Sequence, residues 1–161
     1  MDCYIIRHGT AVDRSSAIKE YDRYLTDEGK KNIKGVGLGL KKIGVEFDLI
    51  LSSPLVRAKQ TAEIIAEQTN YPLDKIKYTD YLEIGNDWKK AFDLIGQEEK
   101  VCFVGHNPML TEMVASLICG ETENNTPVKK GTVCKISLIS KKILNGELKW
   151  FIPSSVFNKL I

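Results

Sequence analysis

The sequence predicts an α/β domain in which helices sandwich a mostly parallel central sheet. Three observations carry that expectation. Short apolar runs recur at Cys3–Ile6, Phe47–Leu51 and Val101–Val104. Each gives way to a polar turn and then to an apolar pattern with helical spacing. Both histidines of the chain, His8 and His106, stand just beyond such runs. Ligands of open α/β sheets bind in the crevice outside the strand carboxyl ends.

The elements follow in order. The first strand, Cys3 to Ile6, runs straight into Arg7-His8-Gly9. Thr10 to Tyr24 has mixed charge and little periodicity and reads as a loop with room for a short helix. Thr26-Asp27-Glu28 places a capping hydroxyl before two acids, a helix start. That helix should reach about Ile43, with Ile33, Val36, Leu40 and Ile43 at core spacing. Gly35, Gly37 and Gly39 are costly inside a helix. They do not match a nucleotide-binding fingerprint, so close helix packing is the expectation. Phe47 to Leu51 reads as a second buried strand. Ser52-Ser53-Pro54 then looks like a serine cap with proline at the first helical position. The helix from Pro54 to about Gln68 would turn Leu55, Ala58, Ala62 and Ile65 inward. Ile76 to Tyr78 is a third strand, Trp88 to Ile95 a helix and Val101 to Val104 a further strand. Asn107 and Pro108 read as cap and first turn of a helix from Met109 to Ile118. Val133 to Leu138 and Leu148 to Ile152 alternate like late strands.

Composition sets limits. At 161 residues the chain is expected to form one domain, 1–161, able to bury a core without staples. A formal net charge of +2 is too small to argue for a nucleic-acid or membrane partner. Lys129-Lys130 and Lys141-Lys142 read as short solvated pairs. No apolar stretch reaches membrane-spanning length, and Arg7 interrupts the N-terminal apolar run too early for a signal peptide. Cys3, Cys102, Cys119 and Cys134 show no paired metal spacing. Three of the four lie in strand-like runs, which predicts reduced core thiols and a cytoplasmic location.

The chemistry sits at the strand ends. Arg7 can clamp an oxyanion with a planar fork of donors. His8 is neutral enough near pH 7 to attack an electrophile. Gly9 lets the backbone turn sharply and approach a ligand. Arg57 lies in the first turn of the second helix, whose N-terminus already favours anions. Alone, Arg57 would read as a surface residue in an exposed pair worth at most ~1 kcal/mol. Beside two strand-end histidines it reads as part of an oxyanion pocket. Ser53 lacks the glycine-flanked turn of a hydrolase serine and reads as a cap. Trp88 and Trp150 read as packing residues.

Arg7-His8-Gly9, the run from Ser53 to Ala62 and Val104-Gly105-His106-Asn107-Pro108 together resemble the histidine phosphatase superfamily. The small size, Tyr24-Leu25-Thr26-Asp27-Glu28-Gly29 and Trp150-Phe151-Ile152-Pro153 are similar to its SixA branch, the phosphohistidine phosphatases. The resemblance runs from Tyr4 to Pro153. It implies a phosphoglycerate-mutase-like three-layer α/β/α sandwich. It also implies that His8 is the nucleophile, transiently phosphorylated. Arg7 and Arg57 would bind the phosphoryl oxygens, and His106 would donate a hydrogen bond. Positive charge from these groups implies neither metal nor cofactor.

Larger relatives of this family carry a glutamate general acid after the third strand. Glu83 is the candidate here, either as that acid or as a loop carboxylate without a role. Arg23 falls where relatives often hold a basic residue at the pocket mouth. The expected partner is a phosphorylated protein, such as a signalling phosphotransfer domain. The alternatives are a small phosphorylated substrate, with Glu83 as acid in a phosphomonoesterase or mutase-like reaction, and a non-catalytic phosphate-binding module.

Overall fold

The computed structural model describes residues 1–120 and 127–161. Among these residues six strands form one sheet: β1 (Asp2–Arg7), β2 (Leu49–Ser52), β3 (Lys77–Tyr78), β4 (Lys100–Gly105), β5 (Val133–Ser140) and β6 (Ile143–Ile152). Their order is β3-β2-β4-β1-β5-β6. The first four in that order pair in parallel. Only β5 is reversed, lying antiparallel to both β1 and β6. The helices are α1 (Asp27–Lys42), α2 (Val56–Thr69), α3 (Met109–Cys119) and the short α4 (Ser154–Phe157).

Strand side chains alternate between faces, and β1 divides the core accordingly. Tyr4 and Ile6 pack with Ile33, Val36 and Leu40 of α1, Ala58, Ala62 and Ile65 of α2, and Phe157 of α4. Cys3 and Ile5 face the other way, onto Met109, Leu110, Met113 and Leu117 of α3 and onto Phe92. The result is the expected three-layer arrangement. Burying one such aliphatic side chain is worth roughly 1.5–3 kcal/mol. The same burial pushes the thiols of Cys3 and Cys134 up to about 12. No helix among the described residues is long and apolar enough to cross a membrane.

α1 begins as expected, with the Thr26 hydroxyl accepting the Gly29 N–H at 3.0 Å. Its glycines admit close neighbours. A β-carbon at Gly39 would lie 2.6 Å from Phe157 Cδ1, and one at Gly37 2.6 Å from Gln68 Cβ. Ile43 corrects the reading of this helix. It is the C-cap and is exposed rather than core, because α1 ends at Lys42 and the chain turns at Gly44, where φ is +76°. α2 starts two residues later than Pro54 suggests. Leu55 is its N-cap, and no side chain caps it. The segment Trp88–Leu94 is a 3₁₀ helix rather than an α-helix. Its buried residues Trp88, Ala91 and Phe92 suit either period, so the apolar pattern does not separate the two.

The topology creates one crevice. β4 and β1 are adjacent and parallel, with Arg7 opposite Gly105. The chain leaving β1 goes to α1 on one face, and the chain leaving β4 goes to α3 on the other. The carboxyl ends of these two strands therefore flank a topological switch point, where open α/β sheets bind ligands.

Candidate active site

Both histidines sit at that crevice. The His8 N–H donates to the Gly105 carbonyl at 3.1 Å, extending the β1–β4 ladder by one bond. It brings the His8 and His106 rings to 5.0 Å between centroids. α2 is stitched to the same turn. The Gly9 N–H donates to Thr61 Oγ1 at 3.1 Å, and the Thr61 hydroxyl donates to the Arg57 carbonyl at 2.7 Å. Thr61 lies one helical turn beyond Arg57, so both side chains face the strand ends. Behind His8 the chain runs tight against α1. A β-carbon at Gly29 would lie 2.0 Å from the Thr10 carbonyl oxygen.

His8 is 6% exposed. Its Nδ1 lies 2.7 Å from the Gly9 carbonyl oxygen. A carbonyl only accepts, so Nδ1 carries the proton and Nε2 keeps its lone pair. That lone pair accepts from Arg57 Nε at 3.3 Å. Burial first, and then the positive charges of Arg57, Arg7 and Lys130, push the imidazole down to about 3. His8 is thus held neutral, with its lone pair on Nε2.

His106 is 1% exposed, with Nε2 2.8 Å from Ser53 Oγ. The Ser53 oxygen also accepts the Leu55 N–H at 3.3 Å. With the serine hydroxyl as donor, His106 carries its proton on Nδ1. Burial, followed by His8, Arg57 and Arg7, pushes this ring down to about 2. Ser53 is therefore not the helix cap that its place before proline suggests. It orients His106.

A cavity of about 430 Å³ opens above these groups. Arg7, His8, Arg57 and His106 all line it, as does Arg23. Arg7 Nη1 donates to the Val128 carbonyl at 3.0 Å, which also accepts from Asn107 Nδ2 at 3.0 Å. Asn107 thus braces the pocket wall instead of capping α3, where Pro108 holds the cap position. Among the described residues, Arg7 Nε and His106 Nδ1 are buried without a hydrogen-bond partner. Two orphaned nitrogens in one pocket are costly unless an acceptor completes them.

Glu20 is a part of the site that the sequence reading did not single out. Arg57 is only 2% exposed, yet its Nη1 donates to the Glu20 carbonyl at 2.8 Å and its Nη2 to Glu20 Oε1 at 2.9 Å. The same carboxylate pairs with Arg23 at 3.0 Å and Arg14 at 3.1 Å. Partial burial raises the Glu20 carboxyl. The Arg23 hydrogen bonds and the charges of Arg57, Arg23 and Arg14 outweigh that and hold it below its usual value. Arg23 Nε also donates to the Val12 carbonyl at 2.9 Å, which ties both ends of the loop together. Glu20 stands in a stretch without periodicity, so nothing local marked it. Thr61 was legible in principle from its spacing to Arg57.

Glu83 stands apart from this group. Its neighbour Ile84 lines the cavity and Glu83 does not. Burial, and then Asp80, raise the Glu83 carboxyl. No group of three or more His, Cys, Asp or Glu side chains among the described residues could hold a metal ion.

The pocket thus gathers two arginines and two neutral histidines at a switch point of an α/β sheet. Residues 3–98 match the histidine phosphatase superfamily (branch 1), and the chain belongs to that superfamily. An uncharacterized protein of Picosynechococcus is 31% identical over 95% of this chain and its own full length. The mitochondrial serine/threonine-protein phosphatase Pgam5 of Drosophila virilis is 36% identical over 50% of this chain, which matches 27% of that protein. Among solved structures, the protein histidine phosphatase SixA complexed with tungstate superposes with a TM-score of 0.81. That similarity covers 97% of this chain and 99% of SixA at 24% identity, and it establishes the likeness of fold.

Proposed function

We propose that this protein is a phosphatase that removes phosphoryl groups from histidine side chains of a protein substrate, through a phosphohistidine intermediate on His8. The observation that carries the reading is the state of His8. It is neutral, its Nδ1–H is locked to the Gly9 carbonyl, and its Nε2 lone pair is free for phosphorus once Arg57 turns to the substrate. In the first step Nε2 forms a bond to phosphorus as the bond to the leaving nitrogen breaks. The leaving histidine, protonated from solvent on its far ring nitrogen, keeps the electron pair of the broken bond and departs as neutral imidazole. In the second step a water oxygen attacks phosphorus, the bond to Nε2 breaks, and inorganic phosphate leaves. Arg7, Arg57 and the His106 Nδ1–H hold the phosphoryl oxygens, a reading supported by Arg7 Nε and His106 Nδ1 lacking hydrogen-bond partners among the described residues.

The carboxylates favour phosphohistidine over an alkyl ester. An alkoxide needs a proton as it leaves, whereas imidazole is a far weaker base. Of the two carboxylates that line the cavity, Glu20 is held ionised by arginines and Asp13 is exposed, while Glu83 lies outside the lining. A non-basic leaving group fits a pocket so equipped. The phosphorylated protein would be of the kind used in signalling phosphotransfer. The test is a substrate panel: a phosphohistidine protein, a phosphoserine peptide, sugar phosphates and p-nitrophenyl phosphate, with acid-quenched trapping of labelled enzyme. The expected outcome is highest kcat/KM on phosphohistidine, with label on His8 and none in His8→Ala. Preference for sugar phosphates, lost in Glu83→Gln, would reverse the assignment.

A further inference from the structure

A second cavity, of about 390 Å³, adjoins the first, and Arg7 and Lys130 line both. Its remaining walls include Lys129, Thr132, Ser154 and Ser155. Among the described residues its lining comprises three cationic and three hydroxyl-bearing side chains and no carboxylate. The first cavity differs, because Asp13 and Glu20 offset part of its positive charge.

The walls are built, not draped. The Thr132 N–H donates to the Lys129 carbonyl at 3.0 Å, and Gly131 has φ +70°. This is a turn with Lys130 and Gly131 at its centre, and the positive φ there favours glycine. The turn is fastened to the strand that carries the site. The Gly131 N–H donates to the Arg7 carbonyl at 3.0 Å, and the Arg7 N–H to the Thr132 carbonyl at 3.4 Å. Thr132, which walls this cavity, is 1% exposed, and among the described residues its Oγ1 is buried without a hydrogen-bond partner.

We propose that this cavity is a subsite for a second anionic group of the substrate, the carboxylate of an acidic side chain flanking the phosphorylated residue. The proposal rests on the protein-substrate reading above. With the phosphoryl group among Arg7, Arg57 and His106, a neighbouring carboxylate would meet Lys129, Lys130 and the hydroxyls. Lys129-Lys130 then reads as half of a recognition surface, not as the solvated pair that the sequence suggests.

The experiment uses four matched peptides, phosphohistidine or phosphoserine, each flanked by acidic residues or their amides. The readout is the ratio of kcat/KM, acidic to amide, within each pair. Wild-type enzyme should favour the acidic peptide by about tenfold, the equivalent of ~1.4 kcal/mol. Lys129 lines only the second cavity. Lys129→Ala should bring the ratio close to unity, and Lys129→Glu should invert it and favour a lysine-flanked peptide. A wild-type ratio of unity in whichever pair is hydrolysed overturns the subsite. So does a ratio unmoved by Lys129→Glu, or turnover of p-nitrophenyl phosphate with none of the four peptides cleaved. Faster cleavage of the phosphoserine pair, with the acidic ratio intact, would count against the phosphohistidine reading and support the subsite.

Discussion

Arg57 does three things from one buried position. Its Nε faces the His8 lone pair, while its Nη1 and Nη2 hold the Glu20 carbonyl and carboxylate. Turning to a phosphoryl group, the guanidinium would exchange these partners for the phosphoryl oxygens. Arg57→Ala should lower kcat with the fold retained, by the ~2.7–4 kcal/mol that loss of one pre-organised donor costs. Steady-state kinetics with circular dichroism as a folding control would measure it. Glu20 would act in the opposite sense, its charge competing with phosphate for the arginines it pairs with. Glu20→Gln keeps an oxygen for Arg57 and removes the charge. Inorganic phosphate should then inhibit more strongly, by up to about fivefold, because a partly exposed ion pair is worth at most ~1 kcal/mol. Weaker inhibition by phosphate would mean that Glu20 orders the arginines more than it opposes the ligand.

At the scale of elements, the site depends on α1 and α2 lying close together and close to the sheet. Gly37 permits the approach of α1 to α2, Gly39 permits the approach of α4 through Phe157, and Ala58, Ala62 and Ala66 supply small side chains on α2. Gly39→Ala places a methyl 2.6 Å from Phe157 Cδ1, and Phe157 is fully buried. Overpacking of a filled core costs about 1–3 kcal/mol. The gain in helix propensity, roughly 1 kcal/mol, offsets only part of this. Thermal unfolding should show a lower midpoint for Gly39→Ala, and a rise would contradict the packing described. The loop between β1 and α1 is tied at its base, where the Val12 N–H donates to the Tyr24 carbonyl at 2.9 Å and the Leu25 N–H to Gln60 Oε1 at 2.8 Å. Glu20 is thereby brought to Arg57 by backbone geometry as well as by charge.

At the scale of the whole molecule, burying two neutral histidines makes stability depend on pH. The folded values, about 3 for His8 and about 2 for His106, lie below the ordinary 6.5. Below 6.5 the unfolded chain therefore binds more protons than the folded one. Stability should be undiminished by these groups above pH 6.5 and should fall as pH drops from there towards 3. Denaturant titrations across that range should give a shallower slope for His106→Gln than for the wild type. Equal slopes would mean that other groups govern acid unfolding. Activity should also survive a chelator, because Arg7 and Arg57 supply the positive charge that a divalent ion would otherwise bring.

Much of this was written locally. Strand ends followed by Arg7-His8-Gly9 and by Gly105-His106 announce themselves, because a buried apolar run that stops at a charged or imidazole side chain has few structural uses. Alternation along β1 and helical spacing along α1 and α2 likewise depend on neighbours in the chain. The partners that tune the site were not legible in this way. Ser53 looked like a cap until β4 brought His106 to its hydroxyl. Glu20 had no local signature, and only the path of the β1–α1 loop delivers its carboxylate to Arg57. The pairing of Lys129 and Lys130 with Arg7 waits on β5 lying antiparallel to β1. By itself, then, the sequence determined most of the elements and core faces and the four groups that meet at the crevice, since each is encoded within a few residues. Tertiary structure alone decided which side chains orient those groups and where the second cavity opens, since such contacts join segments that are distant in the chain.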